Sequence, residues 1–149
     1  MTAFTPKDPD FEARVRASFA RQVFMTTVGA RMVRVVPGEV ELEVSFREDL
    51  TQQHGYLHAG VVTAVADSAC GYAALSLMPK GRAVLAAEFK ANLLAPAKGK
   101  RFRATGRVVR AGRTLTVCTA EVVAVGEETL VAIMQATMIA LDERPGRAD

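Results

Sequence analysis

Apolar and polar residues alternate strictly over residues 39–46, which read EVELEVSF. A period of two predicts a β-strand that turns its apolar residues toward a core and its glutamates toward water. A largely apolar run over residues 28–36 precedes this strand, and the turn dipeptide Pro37-Gly38 lies between the two runs. The pattern therefore predicts a β-hairpin.

Four more strand-like runs follow the break at Gly81, and short connections separate them. Connections of this length join neighbouring strands in antiparallel hairpins. We expect these strands at residues 83–94, 101–110, 114–125 and 129–141.

Between the hairpin and these strands, residues 57–77 read LHAGVVTAVADSACGYAALSL, and Asp67 is the only Asp, Glu, Lys or Arg among them. The composition favours a helix that is apolar on nearly all sides and must therefore be covered. We predict an α+β fold in which a six-stranded antiparallel sheet wraps around this long central helix and a second subunit closes the remainder. A membrane span is disfavoured, because a carboxylate would lie at the bilayer centre.

The 149 residues suit one domain with one core. Residues 10–21 place three apolar residues at intervals of four and predict a short amphipathic N-terminal helix. The polar residues 142–149 are expected to form a frayed tail. The first 22 residues contain no apolar run typical of a signal peptide, and the two cysteines, Cys70 and Cys118, lack metal-ligand spacing. A cytoplasmic protein with two reduced thiols is the expectation.

Asp67 is the strongest candidate for chemistry, because an ionised carboxylate withdrawn from water is costly unless something compensates it. It could act as a general base or as a nucleophile, or it could serve only as a cap or an ion-pair partner. The polar run QQHGYLHAG precedes the helix and contains Gln52, His54 and His58. The two histidines four residues apart lack a clear third ligand, so no metal is expected.

The run Gln52-x-x-Gly55-x-x-His58-Ala59-Gly60, with Asp67 nine residues beyond the histidine, resembles the motif of the hotdog-fold acyl-CoA thioesterases, in particular the phenylacetate-degradation type. The resemblance covers about residues 20–141. It implies hydrolysis of an acyl-CoA, with an aryl or medium-chain acyl group, to the free acid and CoA without a cofactor or metal. It also implies two sites per homodimer. The chain departs from the motif where Gln52 replaces asparagine and Ala59 replaces glycine, and Ala86 occupies a strand position where some members carry serine or threonine.

The residues around the helix start have specific expected roles. Free backbone N–H groups at His58–Ala59 favour negative charge, so the Ala59 amide could form an oxyanion hole. His58 either fixes the turn by hydrogen bonding or polarises the thioester carbonyl. Gln52 could orient water or the carbonyl, or be merely solvated, and Gly60 either permits close approach or serves packing.

Asp67 lies about 13 Å along the helix from its N-terminus, so one subunit cannot easily bring both groups to the same thioester. Antiparallel helices from two subunits would set Asp67 of one opposite His58–Ala59 of the other. A homodimer is therefore the baseline, with a tetramer built as a dimer of dimers as the alternative.

The net charge of +3 and the pI near 9.1 favour an anionic ligand. Arg110 and Arg113 end a basic run that begins at Lys98, and they could meet the phosphates of coenzyme A, although a solvated strand face is the ordinary interpretation. Nucleic-acid binding is not expected, because no aromatic residues interleave with the arginines.

Two other functions remain open from the sequence. A hotdog acyl-thioester dehydratase would pair a histidine with a carboxylate, and a non-catalytic acyl-CoA-binding module would keep the pocket and lose the acid. The spacing from the helix start to Asp67 fits the thioesterase better than the dehydratase, and the presence of Asp67 argues against the binding module.

Overall fold

A computed structural model of the chain describes residues 4–143. Its helices and strands follow each other as α1 (Phe11–Arg21), α2 (Val23–Val28), β1 (Arg31–Val36), β2 (Glu39–Ser45), α3 (Ala59–Leu75), β3 (Arg82–Leu93), β4 (Arg101–Ala111), β5 (Leu115–Ala124) and β6 (Thr129–Asp142). A short 3-10 turn at Glu48–Leu50 precedes the loop that leads into α3.

The strands form one six-stranded sheet in the order β1-β2-β4-β5-β6-β3, and every neighbouring pair is antiparallel. Helix α3, 17 residues long, carries the chain from the β1–β2 hairpin across the sheet to β3 at the opposite edge and packs on the sheet's inner face. The predicted α+β fold with a six-stranded antiparallel sheet and a central helix is confirmed. β3 pairs only with β6, so its other edge is open among residues 4–143.

Sheet and helix approach each other closely at Gly106 of β4. A Cβ atom at this position would lie 2.3 Å from the carbonyl carbon of Ala69 and 2.6 Å from the amide nitrogen of Cys70. These are backbone atoms of α3 and cannot rotate away. The glycine therefore sets the distance between the central strand and the helix.

The end of α3 is held by side chains from other elements. Arg14 of α1 donates to the carbonyl oxygens of Met78 and Leu75, at 2.6 and 3.4 Å, and pairs with the buried Asp8 at 2.9 Å. Ser76 Oγ accepts from the Gly38 N–H at 2.8 Å. The Arg14 bonds satisfy carbonyl groups at and just beyond the helix end and tie α1 to the core, while the Ser76 bond ties the helix end to the β1–β2 turn.

The hairpin follows the predicted alternation, with Val40, Leu42 and Val44 buried. The glutamates on the other face are half-buried rather than solvated, because arginines of β1 and β4 cover them. Glu39 bonds Arg107 at 2.8 Å and also Arg34. Burial raises the pKa of the Glu39 carboxyl, but the two guanidinium groups outweigh it and hold the pKa below its usual range.

The structure corrects two boundaries. The predicted first strand began at Val28, but this residue ends helix α2, and the strand begins at Arg31. Met25 and Val28 are buried one turn apart, and Gly29 closes the helix in the left-handed conformation at φ 73°. The predicted frayed tail began at residue 142, but β6 includes Asp142; residues 144–149 lie outside the described part of the chain.

Replacing Gly106 with alanine should destabilise the fold by about 3 kcal/mol or more, because the methyl group would overlap backbone atoms of α3. Urea denaturation at a fixed protein concentration measures the change. The control is Val109→Ala in the same strand, where the side chain is 59% exposed and the expected change is within about 0.5 kcal/mol. Equal stability of Gly106→Ala and the wild type would contradict the close packing described here.

Candidate active site

Asp67 lies in the middle of α3 and is half-buried. Its Oδ1 atom is buried and has no hydrogen-bond partner, and no basic side chain in residues 4–143 forms an ion pair with it. Burial raises the pKa of the Asp67 carboxyl above its usual range, with no opposing charge to lower it. The group is neither a cap nor half of a salt bridge within the described chain.

A cavity of about 340 Å³ opens beside Asp67. We call it the acid-side cavity; its lining includes Gln22, Ser68, Tyr72, Ala86 and Met138. Ala86 thus lies on the wall of this cavity, at the strand position where some members of the resembled family carry serine or threonine. The cavity is far from uniformly apolar, because three of these five side chains carry polar groups.

Gln22, Ser68 and Tyr72 form a hydrogen-bonded group that the sequence did not reveal. Gln22 Nε2 donates to Ser68 Oγ at 3.3 Å, and the Tyr72 hydroxyl donates to Gln22 Oε1 at 3.2 Å. Ser68 and Tyr72 belong to the same helix as Asp67, and their polarity within an apolar stretch was an available signal. Gln22 is 46 residues from Ser68, and nothing in its local sequence distinguishes it from a surface glutamine.

The start of α3 presents one backbone donor without an acceptor. His58 is the N-cap, and its Nδ1 accepts the Gly60 N–H at 2.8 Å. The Val61 N–H donates to the His58 carbonyl at 3.0 Å. Among the described residues the Ala59 N–H has no such partner, and it points its partial positive charge out of the helix terminus.

A second cavity, of about 400 Å³, adjoins this helix start; we call it the amide-side cavity. Gln52, Ala59, Leu93 and Leu94 are among its lining residues. Gln52 Oε1 accepts the His54 N–H, which leaves the carboxamide N–H groups of Gln52 available. The structure thus brings Gln52 and Ala59 to one cavity, next to the cap at His58. His58 holds the helix start, the first of the two roles that the sequence left open.

Gly60 lies next to the cap, and its surroundings limit what could replace it. A Cβ atom there would lie 3.0 Å from His58 Nδ1, tighter than ordinary van der Waals contact. The glycine therefore allows the histidine to cap the helix.

Asp67 does not line the amide-side cavity, and Ala59 does not line the acid-side cavity. Eight residues of helix separate them, about 12 Å along the axis. Both lie on one stripe of α3 whose side chains are only partly covered by residues 4–143. The stripe comprises Ala59, Gly60, Thr63, Ala64, Asp67 and Gly71. All other residues of the helix are buried.

Arg110 and Arg113 line neither of these cavities. Arg110 lies opposite Val117 near the end of β4, and Arg113 lies in the β4–β5 turn beside a smaller cavity that Lys7 and Arg82 also line. Both are exposed and form no ion pair within residues 4–143, whereas Arg107 and its neighbours on the same strand face are neutralised by glutamates. Within one chain the two arginines are not brought to Asp67 or to Ala59.

The remaining polar candidates do not form a second reactive centre. Cys70 and Cys118 are free and buried, and the Cys118 thiol donates to the Cys70 carbonyl at 3.5 Å. The hydrogen bond with Cys118 and burial both raise the pKa of the Cys70 thiol, which disfavours a nucleophilic thiolate. In the described range, no group of three or more His, Cys, Asp or Glu side chains could hold a metal, and no helix is long and apolar enough to cross a membrane.

Comparison with known proteins agrees with this fold. A solved thioesterase family protein from Silicibacter pomeroyi is 52% identical, covers 89% of this chain and 99% of its own, and superposes with a TM-score of 0.86. A 1,4-dihydroxy-2-naphthoyl-CoA hydrolase of Listeria monocytogenes is 29% identical over 61% of this chain and 74% of its own length. A Saccharolobus solfataricus protein that carries an esterase name is 36% identical over 60% of this chain, and the match spans 59% of that relative.

The family profile named thioesterase superfamily matches residues 54–131, more than half of the chain. This segment runs from the loop before α3 into β6 and so includes the capped helix start and Asp67. The resemblance read from the sequence is confirmed at the level of the family, and the hydrolase names of relatives support a thioester hydrolase. With its six-stranded sheet around α3, the chain belongs to the thioesterase superfamily.

Proposed function

We propose that the protein is an acyl-CoA thioesterase that cleaves an aryl or medium-chain acyl-CoA to the free acid and coenzyme A. The observation that carries the proposal is the Asp67 carboxylate, which is desolvated, unpaired in the described chain and open to a cavity. Natural helices rarely keep such a group without a use for it. The hydrolase acting on an aryl-CoA thioester among the relatives supports the substrate class.

The active site is composite, formed by two copies of the chain. One thioester carbonyl cannot touch both Asp67 and the Ala59 N–H of the same helix, about 12 Å apart. The partly covered stripe of α3 and the open edge of β3 are both available to a second copy, and the exposed Leu85, Phe89 and Leu93 of β3 supply apolar area. Two antiparallel helices would place Asp67 of one copy opposite Ala59 of the other, twice per dimer. Association of two dimers into a tetramer is the alternative.

In the general-base route, the Asp67 carboxylate takes a proton from water while the water oxygen bonds to the thioester carbon. The carbonyl oxygen becomes an oxyanion and accepts the Ala59 N–H, whose charge the helix dipole reinforces. The C–S bond then breaks, and the proton held by Asp67 passes to the departing thiolate. In the nucleophilic route, Asp67 itself bonds to the carbonyl carbon, and the C–S bond breaks to release the coenzyme A thiolate, which takes up a proton from solvent. Water then cleaves the anhydride between the acyl group and Asp67, which releases the acid and restores the carboxylate.

The neighbours of the helix start support this chemistry. Gln52 has N–H groups left to orient water or the thioester oxygen, since its Oε1 is used by His54. His58 keeps the Ala59 amide aimed outward by capping the turn. No metal or cofactor takes part in this route.

Arg110 and Arg113 are proposed to hold the coenzyme A phosphates. Their charges are not neutralised by acidic side chains of residues 4–143, whereas the other arginines on β4 form ion pairs with glutamates. Guanidinium groups bind phosphate oxygens well, and the phosphates of coenzyme A lie far from the thioester, so a site distant from Asp67 is compatible with this role.

Replacing Asp67 with asparagine should lower kcat by about 10²- to 10⁴-fold, because the amide cannot accept the proton from water. Release of free thiol from a panel of acyl-CoAs measures the loss. Asp49→Asn is the control, since Asp49 is exposed and its ion pair within residues 4–143 is with Arg47. Hydration of an enoyl-CoA without thiol release would instead establish a dehydratase, and tight binding without turnover by the wild type would establish a binding module.

The pH dependence of hydrolysis should follow the ionisation of the desolvated Asp67 carboxyl. Because burial raises its pKa, activity should fall on the acidic side with a midpoint above the ordinary aspartate value of about 3.9.

A group with a raised folded-state pKa stabilises the fold below its unfolded pKa and loses that contribution as pH rises through the folded pKa. Asp67→Asn should therefore be more stable than the wild type at neutral pH, with a difference that shrinks in acid. A thermal melt of both proteins at several pH values tests the sign.

Replacing Ala59 with proline removes the proposed oxyanion donor at little structural cost. Proline is favoured at the first helical position, and His58 already has the extended backbone, φ −61° and ψ 137°, that precedes proline. We expect kcat to fall by about 10²- to 10³-fold. Ala59→Gly keeps the N–H and should lose far less; an equal loss in both variants would argue against the amide.

The same variant tests the composite site. When Ala59→Pro and Asp67→Asn chains are co-expressed, random mixing makes half of the dimers heterodimers, each with one intact site, so about a quarter of wild-type activity should return. Homodimers purified separately serve as the baseline. Failure of the mixed sample to exceed that baseline would refute a site shared between two copies.

A further inference from the structure

The acid-side cavity has a polar wall that hydrolysis at Asp67 does not require. Gln22 lies at the junction of α1 and α2, with its carboxamide between the hydroxyl groups of Ser68 and Tyr72. Ser68 and Tyr72 are buried, at 7% and 8% exposure, and all three residues line the cavity that Asp67 shares. A purely hydrocarbon ligand against this wall would exclude water and leave any spare hydrogen-bonding group of Gln22 unpaired, which is costly.

The hydrogen-bonding capacity of Gln22 exceeds what these contacts use. A carboxamide has two N–H donors and an oxygen with two acceptor positions. One N–H meets Ser68 Oγ at 3.3 Å, while the oxygen receives the Tyr72 hydroxyl at 3.2 Å. The second N–H has no protein acceptor among residues 4–143. The tyrosine hydroxyl therefore fixes the oxygen end of the amide, and a donor remains beside the cavity.

The junction that carries Gln22 is also well anchored. The Phe19 ring packs edge-on against Tyr72, with centroids 5.7 Å apart, and Arg14 ties α1 to the end of α3. The Gln22 N–H donates to the Phe19 carbonyl at 3.0 Å and closes the helix. The amide is thus held by a fixed backbone, as a group that discriminates between ligands must be.

We propose that Gln22 is a specificity-determining residue that donates a hydrogen bond to a polar substituent on the acyl group. The substrate class is an acyl-CoA whose acyl part carries a neutral acceptor, such as a hydroxyl or a carbonyl, beyond the thioester. An acyl group without the substituent fills the same space and leaves the amide unpaired. This inference rests on the proposed thioesterase function and specifies which feature of the acyl group the site recognises.

The test compares matched thioesters that differ only by a hydroxyl group: hexanoyl-CoA with 6-hydroxyhexanoyl-CoA, and benzoyl-CoA with its 3- and 4-hydroxy derivatives. For each pair, kcat/KM is measured with wild type, Gln22→Met and the control Gln53→Met, an exposed glutamine in the loop before α3. Wild type should prefer the hydroxylated member of at least one pair. Gln22→Met should reduce that preference about tenfold, the worth of one hydrogen bond, and Gln53→Met should preserve it.

Tyr72→Phe provides a second variant that keeps the ring packed against Phe19 and removes only the hydroxyl that holds the amide. It should reduce the same preference by a smaller factor, and it carries the test if Gln22→Met does not fold. An equal fall in kcat/KM for both members of every pair would show a merely structural role and overturn the inference. So would a wild-type preference for the unsubstituted thioesters.

The outcomes separate this inference from the proposed function. If wild type releases thiol from the panel but the preference does not depend on Gln22, only the specificity role fails. If wild type hydrolyses none of the thioesters, the thioesterase proposal fails and the specificity role falls with it.

Discussion

The contact between Gly106 and the backbone of α3 fixes which side of the helix packs most closely on β4. The sheet touches the helix at Ala69, and Asp67 lies two residues earlier, about 200° around the helix axis. Close packing on one side thus directs Asp67 toward the opposite side, which is only partly covered and opens to the acid-side cavity. The partly covered stripe of α3 is the side of the helix that remains once its other residues are buried. A larger residue at the contact would shift the acid as well as loosen the core.

The carboxylates of the protein show how strongly environment sets their chemistry. Glu39 is half-buried and meets two arginines, so its pKa is lowered and it serves the sheet. Asp67 is also partly desolvated but meets no cation in the described chain, so its pKa is raised. The first arrangement stabilises the ionised form, whereas the second sacrifices some stability and keeps the group ready to accept a proton. The two pKa values differ in direction because of the partners, since both side chains are partly buried carboxylates.

The regular elements could be predicted from sequence because each is governed by local patterns. Alternation located the strands within a few residues, and the apolar run located α3. Helix α2 was missed because its six residues are rich in β-branched and aromatic side chains that also suit a strand. The pairing of the arginines on β4 with glutamates on β2 depends on strand register, which the sequence of either strand does not contain.

The candidate site likewise contains some residues that local sequence patterns identify and others that only the tertiary structure reveals. Asp67, Gln52, His58 and Ala59 stand out because they interrupt or cap an apolar segment, and capping follows local rules. Gln22 depends on the position of α1 against α3, a tertiary arrangement with no local signature. Its partners Ser68 and Tyr72 were visible only as polar residues in an apolar helix, and their common neighbour was not.

The separation of the two cavities along α3 gives the acid and the amide independent supports. The amide-side cavity is shaped by the loop before the helix and by β3, whereas the acid-side cavity is bounded by the α1–α2 junction. Changes at Gln22 act on Ser68 and Tyr72 and leave the cap at His58 untouched. Because effects at sites without shared partners are nearly additive, the wall around Gln22 can vary while the capped start of α3 is retained. In the proposed enzyme, the preference among acyl groups can therefore change at the α1–α2 junction without a change at the start of α3.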